Sequence, residues 1–443
     1  MIKERNISID RFRGIIIFLM ILFQLLGNYV NLGFLSRICV HSPNYFITLP
    51  DALEGNLQKA VDGIYILPNM TIADIIAPAF MFAIGLTIVS SYKRRVKEMG
   101  KKKAVISLIK RYLILLGLGV FFNGINTILG GEVFDNETPF SDILVFILTI
   151  SAIITFLLSV IFRKKTILKD INKSIFMILG IFGIGISIFN FIEHLFTNSI
   201  YNYGYWNTLQ HIGLSCIITI LIISMFKKDS TKKRLIASII LFIIFTIYHE
   251  LPLNAKGIKN VILIDYITDG GFIGALAYSS LLLMYTVIAD IYNKDRNKFR
   301  KIVGIMIIPV TLLVLYVMYT FNAYDGSNRL FTAGTNEYFM INKGSISPSY
   351  LIVSLFISSF MFMIVDLFKD IKLKFDFFEI WGKSPILMYI LEFFVVGACT
   401  SLLGDALIKN APVWLACLES FILITILTII AINLHKKKKV IKI

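Results

Sequence analysis

Residues 71–88 read TIADIIAPAFMFAIGLTI, and the single acid in this stretch, Asp74, is followed by 18 uncharged residues up to Lys93. A helix needs roughly 20 mostly apolar residues to cross the hydrocarbon core of a bilayer. The stretch therefore predicts a membrane-spanning helix over 72–92. The basic run KRRVKEMGKKK at 93–103 follows directly, as expected for a segment that leaves the bilayer on its cytoplasmic side.

The composition extends this interpretation to the whole chain. Of the 443 residues, 57% are hydrophobic and only 16% are charged, and the mean hydropathy is +0.78. An average soluble domain is roughly 45–50% apolar and about 25% charged. This excess of apolar residues predicts an all-α fold, a polytopic integral membrane helical bundle with about 12 transmembrane helices. We expect residues 1–443 to form one transmembrane domain.

Apolar runs of the required length recur along the chain. The predicted spans are 14–33, 72–92, 104–125, 141–162, 174–195, 207–226, 235–250, 271–292, 302–321, 350–368, 384–403 and 412–434. The run at 235–250 is the shortest of these. The first run lacks a small-residue cleavage site after it, so we interpret it as a retained helix rather than a signal peptide.

Basic residues are concentrated in every second connection. The basic connections are 93–103, 163–173, 227–234, 293–301, 369–374 and the tail 436–442. Cytoplasmic loops of membrane proteins carry an excess of Lys and Arg. The alternation predicts an even number of helices in the cell membrane, with both termini in the cytoplasm. The net charge of +16 lies in these short clusters rather than along one basic face, which argues against nucleic acid as a partner.

The four cysteines are not spaced as a metal pair or as a redox CxxC motif. Cys216 and Cys417 fall inside apolar runs, and we interpret them as small core residues. Cys39 and Cys399 both fall near the predicted outer side. The sequence leaves open whether they form a disulfide bond.

Ionisable residues at the edge of an apolar span are costly and are therefore candidates for function. Asp74 is the first candidate, near the predicted outer end of its helix. A structural alternative is equally supported, in which Thr71 caps the helix and Asp74 completes a capping-box-like end near the positive helix terminus. The sequence leaves both interpretations open.

Three histidines, His41, His194 and His249, map to the predicted outer side. No HExxH or similar spacing supports a metal site. A histidine there is usually just solvated, but its pKa also suits a general base acting on an amine or a hydroxyl near neutral pH. His435 belongs to the basic tail and is expected to be inert.

Two segments on the predicted cytoplasmic side carry cations next to apolar runs. Arg11 and Arg13 lie in SIDRFRG at 8–14, and Lys383 and Ser384 lie in WGKSPILMYIL at 381–391. The arginines are either positive-inside anchors or ligands for the phosphate groups of a nucleotide-like cofactor, which arginine binds through its planar fork. Lys383 near a helix start also favours anions. No P-loop or GxGxxG motif indicates an ATPase or a dinucleotide fold.

Three segments, in this order, resemble a known family. SIDRFRGIIIFLMIL at 8–22 resembles the LDxxRGxxILLMVL first helix of the membrane acetyltransferases related to heparan-α-glucosaminide N-acetyltransferase. LPNMTIADIIAPAFMFAIGLTI at 67–88 resembles their second helix, and WGKSPILMYIL at 381–391 resembles a late helix with the pattern G-[RM]-N-[PS]-L-[IL]-x-Y. Weaker similarities lie at 207–217 and 269–291. The closest branch is a bacterial one of unknown substrate.

The resemblance implies that acetyl-CoA, bound from the cytosol, donates an acetyl group to an amino sugar or polysaccharide on the far side of the membrane. It implies His41 in VHSPNYF as the catalytic group, Asp74 as the second-helix acid, and Gln24 at a position where relatives often carry Asn. The cofactor site would then involve Arg11, Arg13, Lys383 and Ser384. The implied partners are the lipid bilayer and a saccharide acceptor, with a homodimer left open.

Several departures from the family pattern keep other functions open. His41 matches only if some two dozen residues are inserted between it and Thr71. The family's Val-Phe before proline is Ile76 and Ala77 here, and the Arg of its LQR segment is His211. A multi-pass transporter or flippase for a small molecule or a lipid-linked glycan therefore stands as the alternative, although we find no clear similarity between residues 1–220 and 221–443.

Overall fold

A computed structural model provides the three-dimensional structure of the chain. It describes residues 6–27, 70–129, 140–161, 166–197, 208–226, 230–250, 271–294, 297–322, 343, 346–371, 376–395 and 412–436. All regular secondary structure within these ranges is helical, which confirms the predicted all-α class for this part of the chain.

The described residues form the following α-helices, in chain order. They are α1 Ile7–Gly27, α2 Ile76–Met99, α3 Lys101–Leu129, α4 Phe140–Ile161, α5 Thr166–Thr197, α6 Thr208–Met225, α7 Thr231–Glu250, α8 Gly271–Lys294, α9 Lys298–Asn322, α10 Pro348–Leu367, α11 Phe377–Lys383, α12 Pro385–Val395 and α13 Val413–Lys436. A 3₁₀ turn, Ala73–Ile75, leads directly into α2.

The described helices include eight that are long and apolar enough to cross a membrane. These eight are α2, α3, α5, α6, α8, α9, α10 and α13. The protein is therefore a multi-pass helical membrane protein. The predicted number of about 12 spans is not confirmed, because the predicted spans 14–33, 141–162, 235–250 and 384–403 are not among the eight.

Several basic connections that the sequence pattern placed between helices are themselves largely helical. The run 93–103 contains the end of α2 and the start of α3, and only Gly100, at φ 80°, separates them. Lysine and arginine are good helix formers, and their long side chains can reach water from a helix end. The basic pattern therefore marks the ends of helices correctly but overstates the length of the loops.

The interior of the bundle is built around α8, in which 83% of the spanning residues are buried. It packs against α2, α6, α7, α9 and α10. By contrast, only 17% of the α9 span and 28% of the α13 span are buried, so both helices lie at the periphery. Cys216 is buried as predicted, but Cys417 is exposed on α13, and its interpretation as a core residue is wrong because this helix turns most of its surface outward.

Two helices approach each other most closely where both carry a glycine. A Cβ atom on Gly14 of α1 would overlap the carbonyl oxygen of Phe378, and one on Gly382 of α11 would overlap the carbonyl oxygen of Asp10. In lipid, where apolar side chains gain little from leaving the solvent, small residues allow backbones to pack tightly and thereby hold helices together. The α3–α5 pair uses Gly117 in the same way.

We predict that Gly382→Ala destabilises the protein by about 1–3 kcal/mol, because the added methyl group overpacks a backbone contact. Gly185→Ala, in α5, is the matched control, since a Cβ there meets no atom within 4 Å. The thermal midpoints of the two variants in detergent check this. An equal midpoint for Gly382→Ala and Gly185→Ala would contradict the close crossing of α1 and α11.

Candidate functional site

The carboxylate of Asp74 lies in a buried polar cluster just before α2. Its Oδ2 accepts hydrogen bonds from the Thr71 backbone N–H at 2.8 Å and from the Thr71 hydroxyl at 3.2 Å. Lys343 Nζ lies 3.5 Å from its other oxygen, and the side chains of Asp74 and Lys343 are 0% and 12% exposed. The Tyr350 hydroxyl donates to the Asp74 carbonyl oxygen at 2.7 Å. We call Thr71, Asp74, Lys343 and Tyr350 the Asp74 cluster.

A strained turn before α10 holds Lys343 in this cluster. The Ile346 N–H donates to the Lys343 carbonyl oxygen at 3.0 Å, and Ile346 has φ 50°. A β-branched residue rarely adopts this left-handed conformation, which costs free energy and persists only where the surroundings enforce it. Ser347 then caps α10 by accepting a hydrogen bond from the Tyr350 N–H. The turn therefore orients Lys343 and Tyr350 together towards Asp74.

One half of the capping box considered for Asp74 is present, since its side chain accepts a hydrogen bond from the Thr71 N–H three residues earlier. The other half is not found, because no side chain caps the 3₁₀ turn or the start of α2. The ion pair with Lys343 goes beyond capping. The sequence pattern gave no indication of Lys343, because it lies between two apolar spans in a segment with no helical periodicity.

The C-terminal end of α1 reaches the same place. Ala73 packs against Phe23 and Leu26 of α1. Gln24 lies between those two residues, but its side chain is exposed and makes no hydrogen bond to a described residue. His41, the predicted catalytic group, lies outside the described residues. The contact between Gln24, Asp74 and His41 therefore stays a prediction.

At the opposite end of α1, Arg13 bridges to α2. Its guanidinium donates to the Ala83 carbonyl oxygen at 3.2 Å and to the Thr87 hydroxyl at 2.9 Å, and it lies 3.9 Å from the Asp10 carboxylate. Thr87 is 13 residues beyond Asp74, which is about 20 Å along the helix axis. We call this end of the bundle the Arg13 face.

Arg11 makes a different set of contacts from Arg13. It pairs with Asp376, and it donates to the carbonyl oxygens of Phe368, Lys369 and Ile371 at 3.1, 2.9 and 2.7 Å. These carbonyls follow the end of α10, where unsatisfied acceptors and negative dipole charge favour a cation. This geometry favours a structural role for Arg11. Its predicted contact with a cofactor has no structural observation in its favour.

Lys383 ends α11 and Ser384 separates it from α12. Lys383 forms an ion pair with Glu379 one turn earlier, and the Ser384 N–H donates to the Trp381 carbonyl oxygen at 3.1 Å. Because Gly382 contacts α1 next to Gly14, the structure brings the segments that contain Arg13 and Lys383 together. These two predicted cofactor residues therefore lie on one face of the bundle.

A second carboxylate, Asp366, joins three helices near the Arg13 face. Asp366 is 4% exposed and accepts hydrogen bonds from Ser8 of α1 and Tyr292 of α8, both at 2.7 Å. Lys369 Nζ lies 3.5 Å away. An acid near a helix C-terminus opposes the helix dipole, and these three donors compensate for that cost. Asp366 was not among the residues predicted from the sequence, although it interrupts an apolar run as Asp74 does.

Aromatic side chains fill the bundle between the Asp74 cluster and Asp366. Phe12, Phe82 and Phe362 are all fully buried, with ring centroids 5.4–5.7 Å apart. Tyr285 packs edge-on against Phe82 at 4.7 Å. We call these four residues the aromatic block. Tight packing of this kind leaves few voids, so the interior between α1, α2, α8 and α10 separates the two polar ends.

The remaining histidines do not form a metal centre in the part of the chain that the structure describes. No three His, Cys, Asp or Glu side chains there are placed to hold a metal ion. His211 is buried and packs edge-on against Tyr278 at 5.4 Å. The side chains of His194, His249 and His435 lie outside the described set.

A comparison of the sequence with protein-family models gives no match, and a comparison with curated proteins gives none either. The resemblance to the acetyltransferases therefore stays a prediction.

We predict that Asp74→Asn lowers the free energy of unfolding by about 3–5 kcal/mol, because the buried Lys343 charge loses its partner. Arg94→Gln is the control. It breaks the Arg94–Glu98 pair, whose side chains are 70% and 57% exposed, and such pairs contribute only about 0–1 kcal/mol. Denaturant titrations in detergent measure both changes. Equal losses in the two variants would contradict a buried Asp74–Lys343 pair.

Proposed function

We propose that the protein is a membrane-bound acyltransferase that moves an acetyl group from cytosolic acetyl-CoA to an extracytoplasmic amino sugar or polysaccharide. In this proposal it resides in the cell membrane with about 12 spans and both termini in the cytoplasm. The Arg13 face is then cytoplasmic and the Asp74 cluster lies near the outer surface.

One observation carries the proposal: of the three sequence segments that resemble the acetyltransferases, the first packs against both of the others. Gly14 in the first segment contacts Phe378, just before the late segment, and Gly382 within it, and Arg13 binds Ala83 and Thr87 in the second. The first and late segments are separated by more than 350 residues of sequence, so their contact reflects the fold and not their order along the chain. The simplest explanation of this packing is that the three segments contribute residues to one site.

The chemistry required is the attack of an amine or hydroxyl on a thioester. A bond forms between the nucleophile and the acetyl carbon, the carbon–sulfur bond breaks, and the nucleophile's proton is transferred so that coenzyme A leaves as the thiol. In our proposal His41 accepts that proton, Asp74 orients the histidine or the acceptor, and Gln24 donates to the developing oxyanion. Asp74 suits this role because its contacts with Thr71 and Lys343 hold its carboxylate in place.

The donor has to reach the outer side past the aromatic block. A different set of helices surrounds the other side of α1. Here α1 contacts α2 and α11, α2 contacts α3, and Phe122 of α3 packs against Tyr389 and Phe393 of α12. We propose that the pantetheine arm runs among these helices, beside Arg13, and not through the α1–α2–α8–α10 interior.

We predict that the purified protein transfers labelled acetyl from acetyl-CoA to an amino sugar, and that His41→Ala lowers the rate by about 10²–10⁴-fold, the usual contribution of a general base. His435→Ala, in the basic tail, is the control and should leave the rate unchanged. Scintillation counting of the separated sugar measures the transfer.

Two results would contradict the proposal at different points. Full activity in His41→Ala would remove His41 from the mechanism but keep the enzyme. Failure of the protein to bind coenzyme A, combined with counterflow of a small molecule or a lipid-linked glycan in proteoliposomes, would replace the acyltransferase with a transporter.

The orientation of the protein in the membrane can be tested independently of its activity. We predict that alkaline phosphatase fused within 196–206 is active, because that connection carries no basic residue, whereas a fusion within 227–234 is inactive because Lys and Arg retain it in the cytoplasm. Enzyme activity in whole bacterial cells, normalised to the amount of fusion protein, gives the answer. The reverse pattern would place the Arg13 face outside and exclude a cytosolic donor there.

A further inference from the structure

One buried carboxylate, that of Glu392 in α12, differs from the others in having no counter-charge. Asp74 lies 3.5 Å from Lys343, and Asp366 lies 3.5 Å from Lys369. Glu392 is only 4% exposed, yet it forms no hydrogen bond and no ion pair with any residue that the structure describes. An ionisable group buried in an apolar helix without a partner is expensive, and such groups commonly mark functional positions in membrane proteins.

Glu392 faces away from the outward side of its helix. Successive residues of an α-helix are about 100° apart, so Phe394 lies about 200° around α12 from Glu392. Phe394 is 51% exposed and therefore marks the outward side. On the inward side, Met388 comes one turn before Glu392 and packs in one hydrophobic cluster with Ile17 and Ile21 of α1. The Glu392 side chain therefore leaves α12 on its buried side, next to the face that contacts α1.

A second helix, α3, covers the other flank of Glu392. The ring of Phe122 in α3 packs against the rings of Tyr389 and Phe393, at centroid distances of 5.6 and 4.3 Å. Glu392 follows Tyr389 by three residues and directly precedes Phe393. It therefore lies between the side of α12 that contacts α1 and the side that contacts α3, among apolar and aromatic side chains.

The depth of Glu392 follows from the turn at Gly100, where α2 ends and α3 begins. At 1.5 Å per residue, Phe122 lies about 30 Å along α3 from this turn, whereas Thr87 and Asp74 lie about 20 and 40 Å from it along α2. Because Glu392 adjoins the ring partners of Phe122, it lies between the Arg13 face and the Asp74 cluster. In the proposed reaction, donor and acceptor come from these two ends and meet at such a depth.

We propose that Glu392 is the binding site for the protonated amino group of the acceptor. This inference rests on the proposed function and narrows the acceptor to a molecule that carries a primary amine. An ammonium group supplies one positive charge and up to three N–H donors, so it neutralises the carboxylate and binds its oxygens through charge-assisted hydrogen bonds. A hydroxyl group offers one donor and no charge, and it would leave the buried carboxylate without a counter-charge.

The same contact prepares the amine for its attack on the thioester. An ammonium nitrogen has no lone pair, so one N–H bond has to break first, and the proton moves to a Glu392 oxygen. The neutral amine then attacks the acetyl carbon, and its second proton goes to His41 as in the proposed function. Release of the first proton from Glu392 to water restores the carboxylate for the next acceptor.

The first experiment compares the binding of glucosamine with that of glucose, which carries a hydroxyl group in place of the amine. By calorimetry on the protein in nanodiscs, without coenzyme A, glucosamine should bind more tightly than glucose. Glu392→Gln should weaken glucosamine binding by about tenfold or more, the contribution of one charge-assisted hydrogen bond, and should leave glucose binding unchanged. Glu419→Gln is the matched control, because it makes the same substitution in the apolar helix α13 at a position that is only partly buried. It should bind glucosamine like the unaltered protein.

Thermal midpoints separate loss of the ligand contact from misfolding. Glutamine has the shape of glutamate without its charge, and the removal of an unpaired buried charge does not leave another charge without its partner. Glu392→Gln should therefore melt at the same temperature as the unaltered protein or higher, in contrast to Asp74→Asn. A lower midpoint would show that Glu392 has a structural partner and would overturn the assignment. Glu392→Asp, which keeps the charge on a shorter side chain, should retain more glucosamine binding than Glu392→Gln.

The other outcomes distinguish this site from the proposed function. Glucosamine binding that depends on Glu392, in a protein that transfers no acetyl group, would keep the amine site and reject the acyltransferase. Acetyl transfer and glucosamine binding that are both unchanged in Glu392→Gln would reject the site and keep the enzyme. Absence of glucosamine binding to the unaltered protein would refute the amine site. If sodium ions then raise the thermal midpoint of the unaltered protein but not that of Glu392→Gln, the carboxylate binds an inorganic cation instead.

Discussion

The close crossing of α1 and α11 is the contact on which the Arg13 face depends. Within lipid, two helices gain little from the hydrophobic effect when they associate, so backbone packing has to supply the attraction. Gly14 and Gly382 provide it, because each lies against the other helix's main chain. The crossing holds α1 in the position from which Arg11 caps the end of α10 and Arg13 reaches α2. Two segments from opposite ends of the sequence thereby become one structural unit.

The charged side chains of the bundle differ in whether a neighbour of opposite charge neutralises them. Asp74, Asp366 and Arg234 are buried and each has an oppositely charged neighbour. Arg95 and Arg111 lack one among the described residues, although they are partly buried. The aromatic block separates the Arg13 face from the Asp74 cluster, so in the proposed reaction a donor and an acceptor would approach from opposite ends.

The apolar runs were sufficient to predict the helical class and the positions of most helices, because a span of about 20 apolar residues has few alternatives to a transmembrane helix. The capping contact of Asp74 with Thr71 was also predictable, since it is local in sequence. Lys343 was not, because its partner is some 270 residues away and only the strained turn at Ile346 brings them together. The exposure of Cys417 depends on which helices lie at the periphery, which hydropathy does not indicate.

Arg95 and Arg111 illustrate why the role of a single side chain is harder to predict than the fold. Positive-inside counting treats every cation near a helix end as an anchor, and Arg95 lies in such a basic run. A signal was nevertheless present in the sequence. Only 12 of the 44 basic residues are arginine, and Arg111 falls within the predicted span 104–125 rather than in a connection. In a lysine-rich chain, an arginine inside an apolar span indicates that the planar geometry of its guanidinium group matters as well as its charge.

The most direct test of this account is a cryo-electron microscopy map of the protein in nanodiscs with coenzyme A bound. The account predicts density for coenzyme A beside Arg13, at the face where α1 crosses α11, with the pantetheine arm extending towards the Asp74 cluster. Coenzyme A bound at another surface, with Arg13 free of density, would contradict it.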